Sequence, residues 1–129
     1  MRQIGYLMMS GKNIIIYKND INLRQSFALI LKRAGYKIVT TDNVNKAVEL
    51  IKSKQYQLVI SDTDVPDTRS ILLPKIQDLK EPILAVIFTD KAISIINQER
   101  QSTNIHYLEK PVAPERLLEL VDGVISQKW

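Results

Sequence analysis

Apolar positions along this chain follow two alternating rhythms. Short, nearly continuous apolar runs occur at Asn13–Tyr17 (NIIIY), Tyr36–Thr40 (YKIVT), Leu58–Ser61 (LVIS), Ile83–Phe88 (ILAVIF) and His106–Leu108. The first is rich in β-branched residues and apolar on both faces, as a strand covered on both sides is. Tyr36–Thr40 alternates more clearly, which predicts an edge strand. Between the runs, apolar residues recur at helical spacing. Leu23, Phe27, Ile30, Leu31 and Ala34 share one face, and Gly35 is placed to end that helix. Val44, Ala47, Val48 and Ile51 repeat the pattern behind Asp42 or Asn43 as N-cap. Leu72, Ile76 and Leu79 give a shorter stripe, and Pro74 requires that helix to start late, with the proline in its first turn. Ala92, Ile95 and Ile96 suggest a fourth helix running into the polar stretch Gln98–Asn104. Leu117, Leu118, Val121, Val124 and Ile125 make a strong last one, with Pro114 suited to its first turn.

Strand and helix thus alternate five times, which predicts an α/β, doubly wound domain: a parallel sheet with helices on both faces. At 129 residues, 45% hydrophobic and 25% charged, the chain suits one core and one domain. We expect residues 13–129 to form it and residues 1–12 to be an N-terminal extension. That extension carries Ile4, Tyr6, Leu7, Met8 and Met9, too few apolar residues for a signal sequence, and translation starting at Met8 or Met9 is left open. No apolar stretch reaches the roughly 18 residues a membrane span needs. The absence of cysteine removes disulfides, thiolate zinc sites and cysteine nucleophiles, and fits a reducing, cytoplasmic setting. One histidine, His106, makes no metal cluster. The net charge of +4 is scattered, with no basic run that reads as a nucleic-acid arm.

Ligands and chemistry in such sheets collect at the carboxyl ends of the strands. Lys18, Asn19 and Asp20 follow the first strand, and Asp62, Thr63, Asp64, Val65 and Pro66 the third. Thr89 and Asp90 follow the fourth, and Glu109, Lys110 and Pro111 the fifth. A carboxylate, a hydroxyl and an ammonium therefore converge at one end. A carboxylate can act as nucleophile toward a phosphoryl group, and a hydroxyl and a lysine can hold phosphoryl oxygens and offset their charge. Ordinary roles are open to each: helix cap or loop for Asp62, β-propensity for Thr89, solvated lysine for Lys110 and Lys18, packing for Tyr107, turn or cap for Asp20 and Asp64.

From about Asn13 to Ser126 the chain resembles the receiver domain of two-component response regulators. The matching pieces are Asp62 with Val65-Pro66, Thr89, and Tyr107-Leu108-Glu109-Lys110-Pro111, in order on the right strands. The resemblance implies a flavodoxin-like, five-stranded parallel sheet of order 2-1-3-4-5. It implies that Asp62 is the phospho-acceptor position, that Thr89 and Lys110 contact the phosphoryl group, and that Tyr107 is a switch aromatic. It implies a signalling module rather than an enzyme, with a histidine kinase or downstream effector as protein partner.

The chain also departs from that family. Receivers carry two acidic residues after the first strand to bind Mg²⁺, and here those positions read Lys18 and Asn19, with Asp20 one place later. A family glycine reads Ser70, a Gly-Ala pair is missing from Ser102–His106, and the stretch from Asp62 to Lys110 is slightly short. Asp62, the backbone carbonyl of Asp64, and Asn19 or a slipped Asp20 could supply oxygens to Mg²⁺. Lys18 opposes the ion and can pair with Asp62 instead, an attraction of about 4 kcal/mol at ~4 Å and an effective dielectric of about 20, before desolvation.

Three functions compete on this reading. The first in rank is a divergent receiver that acts through protein–protein interaction with an impaired acidic pair, docking by the face of its fourth helix, fifth strand and fifth helix. The second is a conventional phosphorylatable receiver using Asp62. The third, remote, is a flavodoxin-like cofactor binder, against which the first loop lacks a Gly/Ser/Thr-rich phosphate cradle.

Overall fold

The computed structural model describes residues 13–17, 21–62, 67–81, 83–90 and 104–127. The elements are β1 (Asn13–Tyr17), α1 (Ile21–Arg33), β2 (Lys37–Thr41), α2 (Val44–Lys52) and β3 (Leu58–Asp62). A π-helical turn, Thr68–Leu72, then leads into α3 (Leu73–Gln77), followed by β4 (Leu84–Thr89), β5 (Ile105–Glu109) and α4 (Pro114–Gln127). All strand pairs are parallel, as the alternation predicts, and the order is β2-β1-β3-β4-β5, the one the receiver resemblance implies. The extension 1–12, the loop residues Lys18, Asn19, Asp20, Thr63, Asp64, Val65 and Pro66, and the stripe Ala92, Ile95 and Ile96 lie outside the described residues.

Strand alternation divides the core in two. Ile14 and Ile16 of β1, Leu58 and Ile60 of β3, Leu84, Val86 and Phe88 of β4 and Leu108 of β5 face one side. There they pack against Phe27 and Leu31 of α1 and Leu117, Val121, Val124 and Ile125 of α4. Phe27 and Phe88 meet edge to face with centroids 5.0 Å apart. Ile15, Tyr17, Val59, Ala85, Ile87 and Ile105 face the other side, against Val44, Ala47 and Ile51 of α2, Leu72, and Ile76 of α3. β1, β3 and β4 are buried on both faces, which is why their sequences read as unbroken apolar runs. β2 lies at the edge and is half-exposed, as its alternation predicts.

Local chemistry sets the boundaries. Gly35 has φ 101°, and the Tyr36 N–H donates to the Leu31 carbonyl at 3.1 Å, a glycine-terminated helix end. That bond removes Tyr36 from β2, so the strand begins at Lys37, one residue later than the apolar run suggests. Ala34, placed on the helical stripe by spacing, falls beyond α1 and is exposed. Asn43 is the N-cap of α2, its side chain accepting from the Lys46 N–H at 2.9 Å. Pro74 sits in the first turn of α3, as its missing N–H requires.

Candidate functional site

The register of the central strands brings three expected side chains to one end of the sheet. β3 runs one residue further than its apolar run, so Asp62 stands opposite Phe88 in the ladder and is 6% exposed. β4 ends at Thr89, 1% exposed, in register with Glu109. The next residue, Lys110, donates its backbone N–H to the Thr89 carbonyl at 2.8 Å, and the Lys110–Pro111 peptide is cis. The Lys110 side chain turns inward, with Nζ 2.8 Å from Asp62 Oδ1 and 3.9 Å from Asp90 Oδ1. Asp62 and Lys110 are sheltered, their side chains 8% and 23% exposed, whereas the Asp90 side chain is 69% exposed. A buried carboxylate is thus held by an ammonium beside a buried threonine.

Tyr107 is half-buried against the second core cluster and stands opposite Ile87. Tyr17, at the carboxyl end of β1, is buried, and burial first, then the charges of Asp67 and Asp42, push its phenol pKa up. Lys18, Asn19, Asp20 and Asp64 lie outside the described residues, so the first-loop half of the expected site has no described geometry.

Two residues that sequence reasoning did not single out belong to this end of the sheet. Ser61 precedes Asp62 and is fully buried, as is Thr68 in the π-helical turn. Their hydroxyls are hydrogen-bonded at 2.7 Å, and either can donate. The signal was present in the apolar run itself: a strand covered on both faces makes Ser61 a polar group on a core position that needs a partner.

A divalent ion wants several oxygen donors. Asp62 has an ammonium 2.8 Å away, and among the described residues no group of three or more His, Cys, Asp or Glu could hold a metal ion. The described donors do not by themselves fit Mg²⁺. A cavity of about 470 Å³, lined by residues including Ile51, Tyr56, Leu79 and Ile83, lies by the amino ends of β3 and β4, away from Asp62. It is misplaced for a cofactor at the strands' carboxyl ends.

A five-stranded parallel sheet of this order with an aspartate ending its third strand is a receiver-like α/β arrangement. The sequence model of the response regulator receiver domain matches residues 14–122, and the chain belongs to that family, a module of two-component signalling. It is 26% identical over 125 residues to the phosphate regulon transcriptional regulatory protein PhoB of Pseudomonas aeruginosa, covering 92% of this chain and 54% of PhoB. It is 25% identical over 121 residues to the DNA-binding transcriptional regulator NtrC of Azospirillum brasilense, covering 92% of this chain and 25% of NtrC. The chain therefore spans between a quarter and about half the length of these two relatives. In fold it is similar to the signal receiver domain of a LuxO repressor protein from Vibrio parahaemolyticus, with TM-score 0.77, 21% identity, and 90% and 91% of the two chains covered. Receiver domains are signalling modules and generally not enzymes; they commonly bind Mg²⁺ at an acidic pocket and interact with histidine kinases and effectors. Among the described residues, no helix is long and apolar enough to cross a membrane.

Proposed function

We propose that this chain is a divergent receiver that works through protein–protein interaction, with its phosphoryl-transfer chemistry impaired. The observation that carries this is the pair Lys18-Asn19 where receivers have two acids. A cation there raises the electrostatic cost of a divalent ion beside Asp62. On this reading Lys18 stands in for the metal and, with Lys110, keeps Asp62 in one fixed ionic state. The partner is a protein, a histidine kinase or a downstream effector. It docks on the face that includes β5 and the last helix, with Tyr107 at its edge.

The test is incubation with acetyl phosphate and Mg²⁺ followed by intact mass measurement. No adduct is expected, and none of the amides around Asp62 should shift at low-millimolar Mg²⁺. A labile, phosphate-sized adduct that disappears in Asp62→Ala overturns the proposal.

The placement of Asp62, Thr89 and Lys110 at the carboxyl end of the sheet supports a second reading, a conventional receiver. In it an Asp62 oxygen attacks the donor phosphorus, the donor's bridging P–O or P–N bond breaks, and an acyl phosphate forms. The Thr89 hydroxyl and Lys110 ammonium then contact the phosphoryl oxygens. Beryllofluoride binding would favour this second reading.

A further inference from the structure

Ser61 near the end of β3 and Thr68 in the π-helical turn are joined side chain to side chain. Both side chains are fully buried, and their hydroxyls meet at 2.7 Å across seven residues of sequence. Thr68 is tied at its other end too, because its carbonyl accepts the Leu73 N–H, five residues on. Leu73 opens α3, which is fixed to the second core cluster through Leu72 and Ile76. A continuous line of short bonds therefore runs from the residue before Asp62, through two hydroxyls and one peptide, to the start of a helix. The turn on that line is π-helical, a geometry with poorer internal bonding than an α-helix that is found preferentially at functional positions.

We propose that Ser61 and Thr68 are a positioning pair that couples the charge state of Asp62 to the placement of α3. The bond joins the end of β3 directly to the π-helical turn and passes a movement on, because the hydroxyl pair cannot lengthen without leaving two buried polar groups unsatisfied. Such coupling needs an element that both ends bias, and the π-helical turn with α3 is that element. The inference rests on the second reading of the site, in which the charge at Asp62 changes as it takes a phosphoryl group.

The experiment measures the effect of Asp62→Asn on backbone amide shifts in three backgrounds: the native chain, Ser61→Ala/Thr68→Val, and Thr68→Ser. The double variant removes both hydroxyls at once, so no buried group is orphaned and the fold is retained. Thr68→Ser keeps the hydroxyl and serves as rescue. In the native chain and in Thr68→Ser, neutralising Asp62 shifts the amides of 69–77 as well as those of Thr89 and Lys110. In the double variant the shifts at 69–77 fall by at least half while those at Thr89 and Lys110 persist. An unchanged profile at 69–77 in the double variant overturns the coupling. Absence of any shift at Thr89 and Lys110 in the native chain instead overturns the reading of the Asp62 site, so the two failures are distinguishable.

Discussion

Removing either partner of the Asp62–Lys110 pair should cost unequal amounts of stability, because the two charges differ in their access to alternatives. At 2.8 Å the raw attraction is about 6 kcal/mol at an effective dielectric of about 20, most of it offset by desolvation. What a variant exposes is the cost of the charge left behind. In Lys110→Met the Asp62 carboxylate stays, with a side chain 8% exposed, and loses its 2.8 Å counter-charge. Breaking a fully buried pair costs roughly 3–5 kcal/mol, and the partial exposure of Lys110 discounts this to about 2–4 kcal/mol. In Asp62→Asn the ammonium remains, but its side chain is 23% exposed and Asp90 is already 3.9 Å away, so a small rotation re-pairs it near solvent. We expect a loss of about 1 kcal/mol or less there. The double variant should lie within about 1 kcal/mol of the native chain, since the two opposite charges are then removed together. Urea unfolding at pH 7 with an unchanged slope measures all three. If Asp62→Asn destabilises as much as Lys110→Met, the argument that burial decides the cost is wrong. If Lys110→Met costs nothing and Lys18→Met in that background restores a large loss, the carboxylate is held mainly from the first loop.

The remaining predictions concern the frame around the site. Tyr36 donates a hydrogen bond to Asp122, and burial first, then that bond and the Asp122 charge, push its phenol pKa well above the ordinary tyrosine range. A folded pKa raised above the unfolded one gives stability that is complete below about pH 10 and lost as pH climbs through the interval above it. Tyr36→Phe should flatten that alkaline loss, and the 295 nm absorbance titration of the native chain should show phenols that ionise only with unfolding. Asn43→Ala should cost about 1 kcal/mol in urea unfolding by removing the cap on the Lys46 N–H, with Asn43→Ser recovering most of it. Gly35→Ala should cost about 1 kcal/mol or more in thermal unfolding, because φ at 101° strains any residue with a Cβ.

How far the sequence could be read depended on whether a signal was local or long-range. β1 and β4 were legible because each is buried on both faces, so burial itself is written as an apolar run. Asn43, Gly35 and Pro74 were legible because caps and first turns are properties of a few adjacent residues. Boundaries failed where a backbone bond from elsewhere took a residue, as Leu31 takes Tyr36, or where ladder pairing carried a polar residue into a strand, as Phe88 does for Asp62. The Asp62–Lys110 pair spans 48 residues of sequence, and only the parallel ladder through β4 and β5 makes its ends neighbours. Strand order therefore had to be inferred before the chemistry could be placed. Ser61 and Thr68 escaped notice for the complementary reason. A serine at a strand end and a threonine in a polar tetrad are each unremarkable, and only burial of the strand on both faces forces the first to seek the second. The polar residues least conspicuous in sequence can thus be among those most constrained in the core, because burial without a partner is what the fold cannot tolerate.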